Sequence, residues 1–237
     1  MLIFILFSIE FNVENNIIIL AMNIIKSSVA LEFITPNALQ LIEKAGRTCY
    51  KSENKITKDS SENFCKMIQT RNHMSVLEHA SATFRIICDR GVSHEIVRHR
   101  IAAYSMESTR YCNYGSDKKG MQFILPSWAN SSLIGEYNYN TPLPYASNTP
   151  ENIFLTSCIN AEILYNQLLK SGQTPQQARA ILPHSLKTEL VMTANFREWL
   201  HFLELRTSPQ AHPDMKIIAN MIKDVLMKEY PIIFGEK

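Results

Sequence analysis

Glycine is scarce in this chain of 237 residues, and none of the seven falls into a G-x-G-x-x-G or G-x-x-x-x-G-K arrangement. Phosphate groups on a ligand therefore have no glycine-rich turn to cradle them, so side chains, chiefly arginine, must hold them. Cysteine is thin too. Cys49, Cys65, Cys88, Cys112 and Cys158 are odd in number, widely spaced and without a C-x-x-C pair. That pattern argues against a disulfide framework or a zinc ribbon and for a reducing, cytoplasmic setting. Each reads as a small buried apolar residue rather than a nucleophile. No apolar run reaches the roughly 18 residues of a membrane-spanning helix, and there is neither an internal repeat nor a low-complexity segment. The net charge is only +2, too little for bulk nucleic-acid binding, which needs a strongly basic face. Any anion site must come from local clustering.

With 46% hydrophobic and 19% charged residues, the composition is that of an ordinary globular protein. The length suffices for one large domain or two small ones with a full core. Met1 to Phe7 is apolar but lacks the cationic flank of a signal peptide, and Glu10 and Glu14 soon interrupt it.

Val29 to Ile34 reads as a strand, followed by a helix opened by Pro36 and closed at Gly46. Asp59 to Arg71 reads as a second helix, Ala80 to Cys88 as a strand, and Ser93 as the cap of a helix leading to Arg98. Met121 to Leu125 is a short strand stopped by Pro126. Ser127 to Pro150, rich in Asn, Ser, Tyr and Pro, reads as a long surface loop of the lid or channel kind. Thr149 and Pro150 open the clearest helix, which Gly172 ends. A short helix carrying Arg179 follows, then a strand from Leu186 to Thr193, a helix capped by Asn195 that runs to Leu205, and a last helix from Pro213. Strands and helices mix without regular βαβ alternation. The expected class is α+β, a single domain with a mixed or antiparallel sheet core and flanking helices.

The densest chemistry lies in Arg98-His99-Arg100-Ile101-Ala102-Ala103-Tyr104-Ser105-Met106-Glu107-Ser108-Thr109-Arg110-Tyr111. Neither a 3.6 nor a 2.0 apolar period runs through it, so packing alone does not account for it. Its guanidinium forks suit phosphate and carboxylate, offering paired donors with permanent charge. Just upstream, His94-Glu95-Ile96-Val97-Arg98-His99 looks like a zincin motif, but the second histidine falls one residue late. On a helix the two imidazoles would stand roughly 140° apart, so no metal site is expected there. Two further polar clusters are His73-Met74-Ser75-Val76-Leu77-Glu78-His79 and Asn195 to Arg206, in which Arg197 and His201 share a helix face.

Arg98, His99, Arg100, Ser108, Arg110 and Tyr111 stand at the spacing of a signature of the flavin-dependent thymidylate synthases, which the chain resembles from about Met22 to beyond Pro213. The clusters at Ser75 and Asn195 resemble two further segments of that family in the same order. The chain departs from the family pattern at Ala103, Ser105 and Met106, where Glu107 stands ready as a displaced carboxylate. It departs again at Gln210, where a histidine is common, and at Glu95, where glutamine is common.

The resemblance implies methylation of deoxyuridylate (dUMP) to thymidylate (dTMP). The carbon donor would be 5,10-methylenetetrahydrofolate, the hydride carrier FAD and the reductant NADPH. It implies Glu95, Arg98, Glu107, Ser108, Thr109, Arg110, Arg179 and Arg206 as dUMP contacts, with Arg206 catalytic. It implies Ser75, Arg98, His99, Arg100, Met106, Asn195, Arg197 and His201 as FAD contacts, His73 and Glu78 shaping the pocket. A cytoplasmic homotetramer with shared active sites is implied, without nucleic-acid, membrane or metal partners. Residues 1–21 are then expected to be an extension from a misassigned translation start, and 22–237 the catalytic domain. Two rivals stand beside this reading: another flavin-dependent nucleotide oxidoreductase, and a basic nucleic-acid-binding module.

Overall fold

The computed structural model describes residues 21–116, 120–138 and 148–235. Four strands form an antiparallel sheet in the order β2-β3-β7-β4: β2 (Ser28–Ile34), β3 (Ser81–Asp89), β4 (Ala102–Met106) and β7 (Lys187–Asn195). Three shorter strands form a second sheet: β1 (Ala21–Ile25) pairs in parallel with β5 (Gln122–Ile124) and antiparallel with β6 (Gly135–Asn138). A bridge between Phe123 and Leu186 joins the two sheets. The expected α+β class with a mixed sheet is what the chain adopts.

Both central strands alternate strictly. Ala82, Phe84, Ile86 and Cys88 of β3, and Thr188, Leu190, Met192 and Ala194 of β7, are buried on one face, as a period of two requires. Against that face pack α1 (Ala38–Cys49), α2 (Ser60–Thr70), α6 (Phe196–Arg206), α7 (Pro213–Glu229) and α8 (Pro231–Phe234). A separate core joins β1 and β5 to α4 (Pro150–Lys170) through Met22, Ile24, Phe123, Leu155, Cys158 and Tyr165.

Several boundaries differ from the sequence reading. Gly46 lies inside α1, not at its end. A Cβ there would stand 2.5 Å from the Phe64 ring, so this glycine permits close approach of α2. Asp89, not Ser93, caps α3 (Arg90–Ile96) by accepting from the Val92 amide at 2.8 Å. Ser93 is buried and donates to the Arg90 carbonyl. The stretch from Ser127 to Pro150 holds β6, whose partner β1 comes from the other end of the chain; residues 139–147 of it lie outside the described residues. The signature itself contains β4, an edge strand that buries none of its side chains fully. An edge strand lacks the alternation that would betray it.

Candidate active site

Helix α6 delivers the expected catalytic arginine. Trp199 anchors this helix to β3: it is fully buried, packs edge-on against Phe84 and donates from its indole nitrogen to the Ala82 carbonyl at 3.1 Å. The Asn195 carboxamide oxygen caps the helix at the Glu198 amide, which leaves the Asn195 amide hydrogens for other partners. Arg206, two turns beyond Trp199 on the same stripe of the helix, ends it beside the turn that follows α3.

There Arg206 makes three hydrogen bonds. Its Nε donates to His99 Nε2 at 3.0 Å, Nη1 to Glu95 Oε2 at 2.8 Å, and Nη2 to the Glu95 carbonyl at 3.1 Å. Because guanidinium can only donate, His99 Nε2 must be the acceptor and Nδ1 carries the hydrogen. Nδ1 then donates to Glu198 Oε1 at 3.1 Å. His99 and Glu198 are both buried. Burial holds the imidazole below its usual pKa, and the Arg206 guanidinium pushes the same way against the Glu198 carboxylate. His99 is therefore a neutral relay between an acid and an arginine. The Tyr104 hydroxyl closes the turn by donating to the carbonyls of Ile96 and His99, and burial pushes its pKa up to about 12.

A cavity of about 510 Å³ opens beside this chain, lined by Arg98, His99, Arg100, His201 and Arg206. A second cavity of about 510 Å³ adjoins it across Ile101, Glu198 and His201, and is lined by Met74, Glu78, Asn195 and Arg197. Ser75 follows Met74 in the short 3-10 helix Met74–His79 at the edge of that second cavity. Arg197 pairs with Glu78 at 2.6 Å. Arg98 and Arg100 form no ion pair among the described residues, so the first cavity carries uncompensated positive charge. His99, Glu198 and His201 offer ligand atoms within 4.8 Å of one another. Both His99 ring nitrogens are already bonded, however, so an ion there would have to break the Arg206 or the Glu198 contact.

The remainder of the signature lies at the far end of β4. Arg179 Nη1 donates to Thr109 Oγ1 at 3.3 Å, and Arg110 Nε to Gln176 Oε1 at 3.0 Å. Glu107 accepts from Lys187 Nζ at 2.8 Å and from the Tyr114 hydroxyl at 2.7 Å. Lys187 also reaches Glu189, itself paired with Arg85. Burial would lower the Lys187 pKa, but the Glu107 and Glu189 carboxylates together outweigh it and the ammonium is held above its usual value. Met106 lines neither arginine cavity; it borders a separate one with Arg85, Glu107 and Glu189.

Glu198, Lys187 and Tyr104 went unassigned in the sequence. Glu198 carried a signal, since it stands three residues after a capping Asn195 and one after Arg197. Lys187 carried none, because its partner Glu107 is 80 residues away. The thiols at Cys65 and Cys158 are pushed up to about 12 by burial, and that of Cys88 higher still, so all three stay protonated.

An α+β scaffold presenting an arginine-lined cavity beside a Glu-His-Arg chain suits an enzyme that handles an anionic ligand. The family model described as thymidylate synthase complementing protein matches residues 30–232. The flavin-dependent thymidylate synthase of Corynebacterium efficiens is 32% identical over 218 residues, covering 89% of this chain and 84% of the relative. That of Geobacter sulfurreducens is 30% identical over 215 residues, covering 88% and 85%. The chain belongs to the flavin-dependent thymidylate synthase family. In fold it is similar to the UMP/dUMP methylase PolB of Streptomyces cacaoi, solved with 5-Br dUMP (TM-score 0.71, 23% identity, 90% of this chain and 95% of that one). It is also similar to thymidylate synthase X of Helicobacter pylori, solved with FAD and dUMP (TM-score 0.65, 24% identity, 88% and 97%).

Proposed function

We propose that this protein methylates dUMP to dTMP, with FAD, NADPH and 5,10-methylenetetrahydrofolate, as a cytoplasmic homotetramer whose active sites are shared between subunits. The observation that carries the reading is Arg206, held by His99 and Glu95 at the mouth of a cavity that Arg98 and Arg100 also line. The donor set suits FAD: guanidinium groups for its diphosphate in place of a glycine-rich turn, and the free amide hydrogens of Asn195 in the adjoining cavity. Ser75, Arg98, His99, Arg100, Asn195, Arg197 and His201 would hold it, with His99 acting through the Arg206 and Glu198 bonds that fix the cavity wall. Met106 stands apart from this group.

When bound, the flavin supplies the hydride. The protein's own residues bind and polarise. Arg98, Arg110 and Arg179, with Ser108 and Thr109, neutralise the dUMP phosphate by charge-assisted hydrogen bonds. Arg206 faces the uracil ring and stabilises the negative charge that grows on it as C6 is reduced. Glu107 is committed to Lys187 and Tyr114, so it meets the nucleotide only as part of that trio. Sharing between subunits accounts for the separation of the Arg206 and Arg179 clusters along β4 within one chain. Of the expected extension 1–21, Ala21 belongs to the fold, pairing with Asn138 in the second sheet; residues 1–20 lie outside the described residues.

The test is the visible spectrum of the purified protein and its change on adding dUMP. A yellow protein whose flavin bands shift with dUMP, and which forms dTMP with the folate and NADPH, is expected. A colourless protein, or one whose flavin ignores dUMP, would refute the reading.

A further inference from the structure

Resting on that reading, we propose that Glu95 is a positioning residue for Arg206, fixing the guanidinium plane before any nucleotide arrives. Guanidinium carries five N–H donors. The bonds to His99 Nε2, Glu95 Oε2 and the Glu95 carbonyl commit three of them and leave one on each terminal nitrogen. Two donors on the two terminal nitrogens of a fixed plane are both available to the lone pairs of a developing oxyanion. A freely rotating arginine would first have to lose its side-chain freedom.

The two Glu95 contacts divide the work. The carbonyl belongs to the helix end and cannot move away without unwinding α3. The carboxylate closes the second side of the fork, and with 35% of the side chain exposed it keeps contact with solvent. Glu95 also lines a different cavity of about 410 Å³, with His94, His184, His212 and Asp214. Arg206 lines the arginine cavity. The ion pair is thus part of the wall between two spaces, and its breakage would let the guanidinium swing out of register.

A carboxylate and a carboxamide both present an oxygen to Nη1, so the role depends on the acceptor and not on its charge. This separates positioning from substrate contact and from charge compensation. Glu95→Gln should keep kcat within about threefold, while Glu95→Ala should lower kcat about 10- to 100-fold, with KM for dUMP changed less than about threefold. Equal losses in both variants, an unchanged kcat in Glu95→Ala, or an effect confined to KM would overturn the proposal. A readout without turnover accompanies it: the Nε–Hε signal of Arg206 in nitrogen-15 spectra of the protein as purified, assigned with Arg206→Lys. Slow exchange with solvent in wild type and Glu95→Gln, and fast exchange in Glu95→Ala, is expected. Identical exchange in all three refutes positioning. If wild type makes no dTMP while the exchange pattern holds, the functional reading fails and the positioning of Arg206 stands.

Discussion

At the Arg98 end of β4 the Arg206 guanidinium is held by three bonds, two to a helix end and one to a buried histidine that a glutamate backs. At the Ser108 end, Arg179 has a single 3.3 Å bond to Thr109 and Arg110 a single bond to Gln176. One fourteen-residue segment contributes to both clusters, and about 13 Å of strand separates them at roughly 3.3 Å per residue. The contrast follows from what each must do. A group that stabilises charge only in the transition state gains from being fixed beforehand. A group that grips a phosphate can close around it on arrival, because charge-assisted bonds tolerate some adjustment.

Arg206→Ala gives the harshest test of this contrast. Removing a fixed donor at developing charge should cost about 10²–10³ in turnover while flavin content and dUMP binding persist, as measured by single-turnover flavin oxidation and by absorbance titration. Near-wild-type turnover would put both ends on the same footing.

Arg179→Ala should act on binding instead. Losing one hydrogen bond to a charged group, about 1.5 kcal/mol, corresponds to about a tenfold rise in the dUMP dissociation constant, with turnover at saturation little altered. A turnover defect at saturating dUMP would mean that the loose end is also part of the chemistry.

The fixed end should also be the pH-sensitive one. An imidazole whose pKa is lowered on folding, as burial lowers that of His99, favours the folded state only while neutral. Its contribution is complete above the unfolded value of about 6.5 and is lost as pH falls toward the lower folded value. Urea midpoints taken between about pH 8 and about pH 5 should therefore fall more steeply for wild type than for His99→Gln. Parallel curves would show that His99 does not titrate differently on folding.

Cys112→Ser should do least. Cys112 is half-buried near the loose end, and no thiol chemistry enters the proposed reaction. Turnover is expected within about twofold of wild type, well under 1 kcal/mol. A folded, flavin-bound but inactive variant would move the chemistry to sulfur.

Much of this was legible where local rules dominate. Asn195 before an apolar-periodic run, Pro150 and Pro213 at first turns, and the alternation in β3 and β7 each state a local preference that the fold does not contradict. The arginine cluster was legible because its residue types have no packing explanation. What stayed hidden depends on partners far along the chain. Strand β4 alternates too little to be seen without β7, and β6 exists because β1 pairs with it. The cap at Asp89 was masked by a serine that could have served as well. Glu95 could be suspected of needing an arginine, but only the fold decides between Arg98, one turn away, and Arg206, 111 residues away.

The strand order carries a consequence for synthesis. Strand β7 sits between β3 and β4, and Thr83 meets Thr193 across 110 residues of chain. On the ribosome, β3 and β4 emerge long before the strand that must lie between them. Each is left with an open edge facing apolar neighbours, the condition in which nascent chains pair wrongly or collect chaperones. Sheets closed by such distant contacts fold slowly. A messenger truncated before the codon for Lys187 would therefore yield an unfinished template rather than a smaller protein, with neither a completed sheet nor the helix that carries Arg206.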